Sequence, residues 1–142
     1  MRCLKMKKIA LAVFVIASMV VISSCVTQSP AVSSQYVGSE RYAVTGSYTA
    51  LLNCTMFEAD KAIRATAKRA RFTENLRANR QNFMEYEYQD IYDGKVGMRL
   101  EETAEGPVKL VIRVGKLGDR NLSQQLLQGI DDELHAMKDS EF

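Results

Sequence analysis

The sequence predicts an α+β domain: a two-layer fold in which an antiparallel sheet of about five strands carries two helices on one face, in the order β-α-β-β-β-β-α. Three observations predict it. Two segments place apolar residues at the spacing of a helix that buries one stripe. Between them, four segments alternate with the two-residue period of a half-buried strand. The links joining those strands, "NRQN", "YDG" and "EGP", are too short for anything but antiparallel neighbours. Elements that are apolar on one side only must cover that side, and packing both helices on one sheet face does so most economically.

The folded part does not start at the N-terminus. Arg2, Lys5, Lys7 and Lys8 precede an uncharged apolar run from Ile9 to Ile22. This is the basic region and apolar core of a secretory signal. The 14 residues from Ile9 to Ile22 fall short of the roughly 20 that a membrane-spanning helix needs, so cleavage is expected.

The run ends in Ile22-Ser23-Ser24-Cys25, which is similar to the lipobox of bacterial lipoproteins. That resemblance implies a diacylglyceryl group on the Cys25 sulfur, removal of residues 1–24 and acylation of the new amino terminus. Each buried methylene contributes about 0.8 kcal/mol, so one chain holds marginally and two or three hold for good. Val26 stands where an aspartate would signal inner-membrane retention, which favours the outer membrane facing the periplasm.

From residue 25 to 43 the acylated cysteine leads into "VTQSPAVSSQYVGSERYA", rich in serine and glutamine with no apolar period, expected to be a flexible tether. Residues 44–142 then form a single small domain. The precursor has 19 basic and 17 acidic residues; without Arg2, Lys5, Lys7 and Lys8 the count is 15 against 17, a net charge of −2. No basic cluster with interleaved aromatics remains, which excludes a nucleic-acid partner.

Within the domain, Gly46 to Leu52 reads as the first strand. Asn53 or Thr55 can cap a helix running to about Ala70, with Met56, Ala59, Ile63, Thr66, Ala67 and Ala70 on one stripe. The opposite face, with Glu58, Lys61, Lys68 and Arg69, reads as solvated. The strands Phe72–Ala78, Phe83–Ile91, Lys95–Thr103 and Val108–Gly115 follow. A three-residue loop, Tyr92-Asp93-Gly94, with Gly94 left-handed, puts Tyr86 and Tyr88 on the core side beside Met98 and Leu100 and sets Glu87 opposite Arg99. Asp119 or Asn121 then caps a last helix whose Leu122, Leu126, Leu127, Ile130, Leu134 and Met137 form its apolar stripe.

The ending "LVIRVGKLGDRNLSQQLLQGI" resembles that of small bacterial lipoproteins in a domain-of-unknown-function family: an Ile-Arg-Val-Gly strand, a Gly-Asp turn and a Leu/Ile-rich helix. The likeness extends over the signal, the lipobox and the element order, with Ile112 to Asp119 its most specific part. Many relatives have glycine where Ser24 stands and an Ala/Gly-rich tether. The resemblance implies an envelope lipoprotein and no particular activity.

Candidate sites are few. Lys116, Gly118, Asp119 and Arg120 could form an anion-binding turn at a helix N-terminus. The simpler reading is a strand-to-helix turn in which Gly118 takes a positive φ and Asp119 caps, filling the amides an anion would need. A Cys54–His135 dyad lacks a third group. Cys54 reads more simply as a small buried residue, and one cysteine with one histidine makes no zinc site. Neither a cofactor nor a catalytic constellation is predicted. The sequence therefore points to a non-enzymatic, lipid-anchored domain that binds a protein partner or supports an envelope assembly. The alternative is a module binding a small ligand, lipid or glycan through the outer sheet face or the Lys116–Arg120 turn; a Cys/His-based enzyme comes last.

Overall fold

The computed structural model describes residues 34–141. The signal segment 1–24, Cys25 and residues 26–33 of the expected tether lie outside the described residues. The elements are β1 (Val37–Tyr42), β2 (Ser47–Leu52), α1 (Met56–Arg69), β3 (Thr73–Asn79), β4 (Phe83–Gln89), β5 (Lys95–Glu102), β6 (Val108–Val114) and α2 (Arg120–Asp139). All strand pairs are antiparallel, in the order β1-β2-β6-β5-β4-β3. The α+β class holds, with six strands in place of about five.

The added strand is β1, inside the segment expected to be tether. Its sequence, VGSERY, hides its role because little of it points inward. What orders it is anchoring at its start. Tyr36 and Val37 are buried, the Ser34 hydroxyl donates to Asp131 on α2, and the Asn53 amide donates to the Tyr36 carbonyl at 2.7 Å. The Tyr36 ring also meets His135 edge-on, with centroids 4.7 Å apart.

Inward residues alternate as predicted on β4 (Met84, Tyr86, Tyr88), β5 (Val96, Met98, Leu100) and β6 (Val108, Leu110, Ile112), and β2 follows the same pattern with Tyr48, Ala50 and Leu52. Both helices cover this face. They run in opposite directions, since Glu58 in the first turn of α1 pairs with Lys138 in the last turn of α2, and Thr66 meets Gly129. A Cβ on Gly129 would come within 2.9 Å of the Thr66 methyl, so the glycine permits the close crossing.

Thr55 caps α1: its hydroxyl accepts from the Glu58 amide while Glu58 accepts from the Thr55 amide, a reciprocal capping box. At the other end, Arg71 donates to the Lys68 carbonyl and Phe72 to that of Ala67, a Schellman closure. Its left-handed position, φ 58°, is held by Arg71 where glycine is usual. Ala70, expected on the buried stripe, is exposed because the helix has ended.

The β4–β5 hairpin differs in register from expectation. Its loop is five residues, Asp90 to Gly94, with Asp93 rather than Gly94 left-handed. The Asp90 carboxylate closes it, accepting from the Tyr92 amide at 2.8 Å and the Gly94 amide at 2.7 Å. A Cβ on Gly94 would lie 2.5 Å from that carboxylate. Pairing therefore slips by two: Tyr86 faces Met98, Tyr88 faces Val96, and Glu85 rather than Glu87 faces Arg99. An even slip keeps every side chain on its predicted face.

Asp60, buried on α1, accepts from the Tyr86 hydroxyl and from Arg77, each at 2.7 Å, and lies 3.8 Å from Arg64. Burial and this bond raise the Tyr86 phenol well above its ordinary range. Asp60→Ala leaves two donors unmatched at the core edge and is expected to cost about 2 to 4 kcal/mol, less than a fully buried pair because Arg77 reaches water. Tyr86→Phe should cost about 1 kcal/mol. Urea unfolding of both variants checks the ordering; equal losses would show that the charge on Asp60 contributes nothing.

Candidate functional site

The strand-to-helix turn is built around two glycines. Gly118 has φ 84° and packs on the β1–β2 turn, where Gly46 also has φ 84°. A Cβ on Gly118 would lie 2.1 Å from the Gly46 carbonyl oxygen, and one on Gly46 would lie 2.1 Å from that of Leu117. Two backbones therefore touch where no side chain fits. Asp119 caps α2, accepting from the Leu122 amide at 2.9 Å.

Of the four residues singled out here, Gly118 and Asp119 have the positive φ and the capping role that the simpler reading gave them. The Arg120 guanidinium sits over the Tyr42 ring at 5.9 Å, while the Lys116 carbonyl accepts from Arg113 at 2.7 Å. With Asp119 on the helix amides, the turn works as a joint between β6, α2 and the β1–β2 hairpin.

Cys54 packs partly buried against the core, and burial, with a smaller push from Glu58, raises its thiol to about 12. A thiol held that high keeps its proton near neutral pH, the reverse of an activated nucleophile. His135, half exposed, has Nδ1 2.9 Å from the Asp131 carbonyl oxygen and packs on Tyr36. Its contacts hold β1 to α2. Among the described residues no group of three or more His, Cys, Asp or Glu side chains is arranged to hold a metal ion.

The sheet face away from the helices has more of the geometry of a binding surface. One row across it runs Arg41, Thr49, Val111, Arg99, Glu85 and Ala78; the next runs Ser47, Arg113, Gly97, Glu87 and Leu76. Charges are interlocked: Arg99 lies 2.8 Å from Glu101 and 3.7 Å from Glu85, Lys109 lies 2.9 Å from Glu101, and Lys95 lies 3.5 Å from Glu87. The Arg99 guanidinium also covers the Phe83 ring at 4.0 Å. Long side chains thus lie flat across the sheet.

At the centre Gly97 leaves a shallow depression of about 390 Å³, bordered by Leu76, Glu85, Glu87, Arg99, Val111 and Arg113. The backbone does not require a glycine there. A Cβ would meet nothing nearer than the Arg113 carbonyl oxygen at 3.9 Å, so a larger residue would fit. The signal was present in the sequence as a glycine inside the strand "KVGMRLEE", the pattern left where something approaches a sheet closely. Sequence reasoning named this face but not Gly97.

The family described as "Protein of unknown function (DUF3568)" matches residues 8–133. The chain belongs to that family. The match covers α1, all six strands and most of α2, so the family shares the whole fold. It begins at Lys8, just before the apolar run Ile9–Ile22, and takes in that run and Cys25. No curated protein matches the chain.

If the turn is a joint, Gly118→Val should destabilise by more than any substitution of its exposed neighbours, because two backbones must part. Asp119→Ala should cost about 1 kcal/mol and Asp119→Asn close to nothing, since asparagine caps as well. Thermal melts of the three variants check this; Asp119→Asn melting as low as Asp119→Ala would show that the charge, not the cap, matters.

Proposed function

We propose that the protein is a lipid-anchored lipoprotein of the bacterial outer membrane, whose periplasmic domain docks a protein partner through the open sheet face around Gly97. The anchor rests on the basic residues, the apolar run and the Ile22-Ser23-Ser24-Cys25 sequence, and the family match takes in the apolar run and Cys25. Among the described residues no helix is long and apolar enough to cross a membrane. We assign anchoring to the lipid on Cys25, because the apolar run Ile9–Ile22 is too short to span a bilayer.

The observation that carries the docking reading is the layer of paired charges surrounding a gap that the fold does not need. A face kept only for solubility gains nothing from an empty position at its centre. Interlocked Arg99, Glu101, Lys109 and Glu85 offer donors and acceptors already oriented, and this favours a specific polar interface. Catalysis is not proposed, because the Cys54 thiol is held protonated and the surroundings of His135 are structural.

The anchor also limits where the domain works. Ser34 is already bonded to α2, and only nine backbone steps separate it from Cys25. Fully extended, they span about 30 Å. The partner would therefore be found close to the membrane surface.

Cys25→Ala should leave an unprocessed precursor without lipid label; a labelled, membrane-bound protein of mature size would end the lipobox reading. For docking, crosslinked envelopes should yield one protein in fixed ratio to this chain. Gly97→Leu and Arg99→Gln should lose it while melting close to the parent. Retention of that protein by both variants would remove the sheet face from the account, and a small molecule retained in its place would favour a ligand module.

A further inference from the structure

We propose a second binding site, for a phosphate group, in the cleft between α1 and the β3 edge of the sheet. The cleft has a volume of about 520 Å³ and is lined by Lys61, Arg64, Lys68, Arg71, Glu74 and Tyr88. It lies on the helix side of the sheet, away from the Gly97 depression, and does not depend on the docking reading.

Three independent features meet there. The first is spacing. Positions 61, 64, 68 and 71 follow one another at three, four and three residues, which stacks three cations on one ridge of α1 and continues the line into its closing turn. Like charges so spaced repel each other. The helix dipole accounts for cations in the last turn, but Lys61 and Arg64 lie too far from the C-terminus to be explained that way. Among the described residues, Lys68 and Arg71 have no ion-pair partner, and Arg64 has only the 3.8 Å contact with Asp60.

The second feature is Arg71 itself. It occupies the left-handed residue of the Schellman closure, where glycine would be free of the steric penalty. Arginine in that place is disfavoured by backbone sterics, so folding alone does not account for it. What the arginine adds is a guanidinium at the cleft. The third feature is the Tyr88 hydroxyl, which is buried and has no hydrogen-bond partner among the described residues. Burial raises the Tyr88 phenol to about 12, so it keeps its proton and remains a donor.

Together these supply ammonium groups and planar guanidinium forks around one space, with the unpartnered Tyr88 hydroxyl buried behind its wall and Glu74 the single acid. A tetrahedral dianion with several acceptor oxygens satisfies that donor set better than a single carboxylate does. Free phosphate and the headgroup of an anionic phospholipid share this chemistry. Under the proposed anchor, the short span from Cys25 to Ser34 would keep the lipid headgroups near.

The test uses the full chain in detergent, titrated with inorganic phosphate against chloride at matched ionic strength and followed by NMR at Tyr88 and Arg71. Saturable shifts from phosphate alone are expected. Arg71→Gly removes the guanidinium and relieves the backbone, so its melting temperature should rise while its affinity falls at least about fivefold. Tyr88→Phe should melt as the parent does, or higher, with a similar loss of affinity. Lys68→Gln, on the exposed ridge, gives a further variant free of folding effects and should weaken binding in the same direction. Vesicles of phosphatidylglycerol in phosphatidylcholine, compared with phosphatidylcholine alone, then separate the sources: competition with phosphate by the anionic vesicles assigns a lipid headgroup, and its absence assigns free phosphate. Non-saturating shifts, equal shifts with chloride, or parental affinity in the Arg71→Gly and Tyr88→Phe variants would overturn the proposal.

Discussion

The buried carboxylate of Asp60 joins the first helix to two strands of the sheet, and one edge of the fold depends on it. A charge removed from water must have its lone pairs used, or the fold loses more than packing returns. Here they are used by Tyr86 from β4 and Arg77 from β3, with Arg64 from the helix itself close by. One acid thus ties down β3, an edge strand whose residues are almost all exposed. Without that tie, β3 would hold by its ladder with β4 and little else, the condition in which edge strands fray or pair with other chains.

At the opposite edge of the sheet the same task is done differently. β1 is held by groups at its beginning: Tyr36 inserted beside His135, Ser34 on Asp131, and the Asn53 amide on the Tyr36 carbonyl. The contact of Gly46 with Gly118 then locks the β1–β2 turn to the start of α2. Each edge strand is therefore fastened to a different helix, and the helices are fastened to each other at Thr66 and Gly129. This makes a closed circuit of contacts around a core of modest size.

How much of this was legible follows from where the causes lie in the sequence. Gly118 and Asp119 could be read directly, because positive φ and capping are local and leave a local signature. The faces of β4, β5 and β6 could be read from alternation, and the two-residue slip at Asp90–Gly94 did not disturb them. The slip was hidden because it depends on one side chain, Asp90, bonding two amides ahead of it. β1 was hidden because its stabilising partners are Asp131, His135 and Asn53, none of them near it in sequence. Asp60 was hidden for the same reason: nothing in "FEADKAIR" announces that a tyrosine and an arginine from two strands will come to it. The sheet face was legible as a face, while the gap at Gly97 needed its neighbours in place.

The polar character of that face constrains what kind of partner it can hold. Arg99, Glu101, Lys109 and Glu85 already satisfy one another, so a partner must exchange existing ion pairs for new ones, and exposed pairs of this sort each contribute little. An interface built that way has selectivity from the pattern of charge and modest intrinsic affinity, weakened further by salt. Modest affinity is no handicap to a protein fixed at a surface. Under the proposed anchor, chain and partner would share a layer about 30 Å deep, and confinement raises their effective concentration far above that of the same molecules free in the periplasm. A face that would be too weak for a freely diffusing domain is adequate for a tethered one, so under the proposed reading the charge ladder and the lipid on Cys25 would act together.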